Sequence, residues 1–106
     1  MTNYTNGRSY EYKLMELIER KNPISVQRTA GSHGFFDIVA VFHDRTEFYQ
    51  VKKTNKIRAY YDVELTELEK TRTPPNTKKF LAVYYTRNPK RSFYGWDITE
   101  VYNGRN

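Results

Sequence analysis

The chain of 106 residues contains no cysteine, which excludes disulfides, thiolate nucleophiles and cysteine-ligated zinc. Histidine is nearly absent too: His33 and His43 fall in different loops, so a histidine-built metal site is not expected. No stretch approaches the roughly 20 apolar residues of a membrane span. The polar segment Met1 to Arg8 lacks the apolar run of a signal peptide. Low-complexity tracts, repeats and linkers are missing as well, and the length suits one core. The expectation is one soluble, intracellular (cytoplasmic) domain over residues 1–106 with no membrane partner.

Acid is in short supply in only one half of the chain. Residues 1–50 carry six basic and six acidic side chains, whereas residues 51–106 carry twelve and six, which accounts for the whole net charge of +6. Basic clusters at Lys52-Lys53, Lys56/Arg58, Lys78-Lys79 and Arg87/Lys90/Arg91 suit a polyanion, with nucleic acid the foremost candidate. A merely solvated basic face would read the same way.

Hydrophobic spacing orders the elements. Tyr10, Leu14, Leu17 and Ile18 form one stripe of a helix over Gly7 to Lys21, which Asn22-Pro23 ends. Ile24 to Thr29 is a short strand with Val26 and Arg28 on one face. A glycine-containing loop, Ala30 to Gly34, leads to a hairpin of Asp37 to Phe42 and Glu47 to Lys52, turning at His43-Asp44-Arg45-Thr46. Thr54 to Tyr61 is a basic loop. A second helix, Asp62 to Arg72, has Val63, Leu65 and Leu68 as its apolar side and stops at Thr73-Pro74-Pro75-Asn76. Strands are expected at Phe80 to Thr86 and Ser92 to Ile98. The order α-β-β-β-α-β-β implies an α/β domain: a mixed sheet of about five strands covered by helices.

The hairpin carries the chemistry. Side chains alternate along a strand, so Gln50 and Lys52 share a face while Val51 points into the opposite layer. Pairing of the two strands brings Asp37 beside them, and an acid, an amide oxygen and an ammonium converge. Hard oxygen donors of this kind suit Mg2+ or Mn2+, and a cation is what phosphodiester hydrolysis needs. The plain alternative is a cross-strand salt bridge between Asp37 and Lys52. Glu11 borders the apolar stripe, with Met15 and Ile18 at i+4 and i+7, and can reach toward Asp37; equally, it suits a first helical turn as a partner of the dipole. Ser32, between Gly31 and Gly34, fits either a phosphate-facing loop or an ordinary turn. Tyr60-Tyr61, beside Lys56 and Arg58, are candidates for contact with bases, while Tyr49, Tyr84, Tyr85 and Tyr94 fall inside expected strands.

Four segments occur here in the order seen in a known family. They are Gly7-x-x-x-Glu11-x-x-Leu14-x-x-x-Ile18, Val26-x-Arg28-x-Ala30-Gly31-Ser32, Asp37-Ile38-x-Ala40 and Gln50-x-Lys52. Over roughly residues 6–53 the chain resembles archaeal Holliday-junction resolvases of the PD-(D/E)XK nuclease superfamily. The resemblance implies a restriction-endonuclease-like fold, metal ligation by Glu11, Asp37 and Gln50, and catalytic roles for Lys52 and Ser32. It places Arg28 near the site, and Lys53, Lys56 and Arg58 join it as expected DNA contacts. It further implies Mg2+ or Mn2+ as cofactor, branched four-way DNA junctions as substrate and a homodimer; the absent cysteine, ten tyrosines and small size suit an archaeal cell or its virus-infected host as setting. The resolvases have Glu where this chain has Gln50; Mrr-like restriction nucleases of the same superfamily use Gln-x-Lys. A nuclease that nicks duplex DNA, or a binding module without activity, therefore stands beside the resolvase expectation.

Overall fold

The computed structural model describes residues 6–29 and 36–104. Helix α1 (Asn6–Glu19) is followed by strands β1 (Ser25–Arg28), β2 (Ile38–Val41) and β3 (Thr46–Thr54). Helix α2 (Asp62–Lys70) then precedes β4 (Thr77–Tyr85) and β5 (Gly95–Val101). This is the expected order, α-β-β-β-α-β-β. The five strands lie in one mixed sheet in sequence order; β3 and β4 are parallel, joined through α2, and the other neighbours are antiparallel.

Each helix covers a different face. Leu14 and Ile18 of α1 pack on Ile38, Ala40, Tyr49 and Ala82, a core closed at one end by Phe42. Leu68 of α2 packs on Leu81 and Val83 from the other side. The α1 chain reverses at Asn22, which takes φ of 58°, a left-handed conformation that asparagine tolerates better than most residues; Pro23 then prevents any return to helix. Below this turn, Lys21 of the helix end and Arg45 of the β2–β3 turn both reach the buried Glu47, at 3.1 and 2.6 Å, and the Tyr49 hydroxyl donates to the same carboxylate.

Three expectations shift. Val63 is 70% exposed, and Leu68 with Leu65 forms the contact side of α2, because Val63 lies outside the helical stripe those two define. The last strand begins at Gly95 rather than Ser92. Gly95 has φ of +118°, so a turn ends there, Tyr94 stands outside the strand, and pairing runs on to Val101.

The third concerns Lys78-Lys79, which is not a surface cluster. Pairing begins at Thr77, so Lys79 faces α2 and is buried, its Nζ donating to the carbonyls of Leu68 and of Thr71, the latter at 2.7 Å. The ammonium closes the C-terminal end of the helix, where carbonyls lack partners and a cation complements the dipole. Burial lowers the Lys79 pKa. Substituting Lys79→Met should cost about 1–3 kcal/mol through unpaired carbonyls. Urea unfolding checks the loss, and hydrogen exchange should quicken first in α2.

Candidate active site

The site lies where β2 parts from β3. Ile38 pairs with Tyr49 as the last β2 partner, and the main chain of Asp37 stays tied on both sides: its N–H donates to the Tyr49 carbonyl at 2.7 Å, and its carbonyl accepts from Thr29 N–H at 3.0 Å. One residue earlier the ladder fails. The Phe36 carbonyl accepts from the Thr29 hydroxyl of the β1 end, so it is drawn toward β1. The Val51 N–H, on the β3 side of the gap, donates instead to Asp37 Oδ2 at 2.8 Å. A carboxylate thus fills the place of a main-chain acceptor, which fixes one oxygen of Asp37 and sets the direction of the other.

Gln50 and Lys52 lie on the sheet face that α2 shares, opposite Leu81 and Val83 respectively. Phe48 lies on this face too, its ring 4.9 Å from that of Phe36. Beyond that aromatic pair, Gln50 and Lys52 are half-buried. Among the described residues, Gln50 Oε1 is the buried side-chain polar atom left without a hydrogen-bond partner. Burying an amide oxygen unpaired costs free energy, and such a group calls for a ligand.

Glu11 approaches from α1. Its Oε1 accepts from Arg28 Nε at 2.7 Å, and both side chains are largely sheltered. Arg28 also leans over the Tyr12 ring at 5.2 Å. In the folded chain this expected DNA contact is also the partner of Glu11, and that bond raises the guanidinium pKa further. Neither residue alone announces this pair in the sequence, since 17 positions separate them.

The electrostatics tie the four groups together. Burial raises the Asp37 pKa; the Val51 N–H opposes it, the Glu11 charge adds to the rise, and Lys52 and Arg28 pull it down. The net direction is upward, so Asp37 holds its proton above the ordinary carboxylate range. A cation entering here would favour the ionised carboxylate, and its affinity should therefore weaken as the pH falls.

As to metal ligation, no cluster of three or more His, Asp or Glu side chains forms among the described residues. Asp37 and Gln50 offer hard oxygens where the strands part, Glu11 lies near enough to Asp37 for its charge to act there, and Gln50 Oε1, without a partner among the described residues, fits a cation that takes neutral oxygen ligands. Such a set fits Mg2+ or Mn2+ completed by water and phosphate oxygens.

Of the other expected residues, Ser32 lies outside the described residues, as does His33. Lys53 is exposed, but strand alternation sends it to the opposite face from Lys52, with its ammonium 5.7 Å from the centre of the Tyr10 ring. Lys52-Lys53 is therefore split between two faces. Lys56 and Arg58 are exposed in the loop after β3, and His43 is exposed at the far β2–β3 turn.

No protein-family model matches the chain, and no curated protein shows significant sequence similarity to it.

Proposed function

We propose that the chain is a Mg2+- or Mn2+-dependent DNA endonuclease of restriction-endonuclease-like fold, acting on branched four-way junctions as a homodimer. The observation that carries this is the buried Gln50 oxygen, without a partner among the described residues, on the strand whose Val51 N–H fixes the Asp37 carboxylate. Element order and the resemblance in residues 6–53 point the same way. Paired nicks across a junction require two symmetric sites, hence the dimer.

When bound, the ion would supply Lewis acidity and a water that ionises near neutral pH. The chain's own groups do the rest. Asp37 and Gln50 supply oxygens from one side, and Glu11 supplies a third while Arg28 holds its orientation and offsets its charge. Lys52, on the Gln50 face, orients the attacking water or stabilises charge growing on the phosphate. Gln50 in place of glutamate favours one other nuclease, an Mrr-like enzyme that nicks duplex DNA. The two differ in whether cutting depends on branching.

A metal titration tests the site itself. Manganese binding followed by electron paramagnetic resonance should weaken by about tenfold or more in Asp37→Asn, a loss typical of a removed ligand interaction. Gln50→Glu restores the missing charge and should tighten binding by a similar factor. Unchanged affinity in both variants would place any ion elsewhere and sink the proposal.

A further inference from the structure

Beyond the scissile site, the C-terminal ends of β3 and β4 carry two loops that the fold fastens together. Thr86 N–H donates to the Thr54 carbonyl at 2.9 Å, and Asn88 Nδ2 donates to the Asn55 carbonyl at 2.7 Å. Arg91 completes the seam. Its Nε donates to the Lys56 carbonyl at 2.9 Å, one terminal nitrogen to the Thr86 carbonyl at 2.8 Å, and the other to the Phe93 carbonyl. With all three nitrogens bound to main chain, Arg91 is a strut rather than a free cation.

The charge on these loops has one sign. Residues 50–61 contain Lys52, Lys53, Lys56 and Arg58 and no acid; residues 84–96 contain Arg87, Lys90 and Arg91 and no acid. Interleaved with them are exposed aromatic rings: Tyr60 is 75% exposed, Tyr94 50% and Phe93 47%. Arg87 sits over Tyr94, 4.0 Å from the ring centre, and donates to its hydroxyl at 2.9 Å. Phe93 is propped edge-on against Tyr85, which fixes its ring while leaving much of it in water.

Phosphates alone would require only the cations. Exposed rings set among cations, on loops held in one arrangement, match the surface that binds an unpaired strand, where bases stack and the backbone meets positive charge. The geometry points to this two-loop platform as a binding site for an unpaired segment of nucleic acid, running from Lys52 onto Tyr60, Phe93 and the Arg87–Tyr94 stack. Lys56, Arg58, Arg87 and Lys90 would meet phosphates there. This deepens the proposed nuclease activity, and rests on it for the idea that the bound segment leads into the Gln50–Lys52 site. Binding itself needs no metal.

The test is fluorescence anisotropy in EDTA with a labelled oligothymidylate of about twelve nucleotides and a duplex of equal length. Wild-type protein should bind the oligothymidylate more tightly than the duplex. Tyr60→Ala/Phe93→Ala should weaken that binding by about tenfold or more, with duplex binding little changed. Arg87→Ala/Lys90→Ala should lower the salt slope for the single strand by about 1.4, from two lost phosphate contacts. Circular dichroism confirms that both variants fold. Duplex preference in the wild type, or equal oligothymidylate affinity in wild type and the aromatic variant, would overturn the inference. Failure of cleavage with oligothymidylate binding intact would count against the nuclease alone.

Discussion

Replacing Asp37 with Asn should cut phosphodiester cleavage by about a hundredfold to a thousandfold without unfolding the chain. The substitution keeps an oxygen for the Val51 N–H, so the junction between β2 and β3 survives while the negative charge goes. Lys52→Ala should cost about a hundredfold for a different reason, because it removes the cation that the proposed mechanism sets against the reacting phosphate. Single-turnover cleavage followed across a metal titration separates the two. Raising the Mn2+ concentration should rescue part of the Asp37→Asn loss and none of the Lys52→Ala loss. Equal cleavage by wild type and Asp37→Asn would remove this carboxylate from the chemistry.

The second large effect concerns stability. Glu47 is 1% exposed and holds Lys21, Arg45 and the Tyr49 hydroxyl at once. Deleting one partner of a buried ionic cluster leaves the others uncompensated and costs about 3–5 kcal/mol; the lower end applies here, since Lys21 and Arg45 keep partial access to water. Glu47→Ala should therefore lose about 3 kcal/mol in urea unfolding, a large share of a small domain's stability. The pH dependence has a definite sign. Burial pushes the Glu47 pKa up, but the bonds from Tyr49, Arg45 and Lys21 outweigh it, and the net shift is downward. A depressed acid stabilises fully above its unfolded value and loses that contribution as pH drops through the folded value. The gap between wild type and Glu47→Gln should be widest near neutrality and should narrow as the pH falls below about 4. A gap that stayed constant over that range would mean Glu47 is not charged in the fold.

Much of this arrangement was legible because two periods are strict. Leu14 and Ile18 recur at helical spacing, and both prove buried. Alternation alone puts Gln50 and Lys52 on one face, and a short hairpin leaves Asp37 few places to go. Other features depend on distances that sequence does not encode. The Glu11–Arg28 pair joins α1 to β1, and each residue had a separate plausible role in isolation. A strand starting at Phe80 would leave Lys79 on the surface. Pairing that begins three residues earlier, at Thr77, turns its side chain to the helix end, where a long stem and three donors close open carbonyls. The edge strand β5 starts later than its weak pattern suggests, because the turn at Gly95 needs a backbone angle rather than a hydrophobic signal. Arg91 sits in a basic run that suggests phosphate binding, and the fold spends its donors on main-chain carbonyls instead.

The most direct measurement is cleavage of a labelled four-way junction and its matching linear duplex, with EDTA, Mg2+ and Mn2+ in parallel. Symmetric cuts in the junction that require either metal, with the duplex spared, are the predicted result. Metal-dependent nicks in both substrates would keep the active site and shift the substrate to duplex DNA. Tight junction binding with no cleavage in either metal would contradict the account and leave a nucleic-acid-binding protein built on the same sheet.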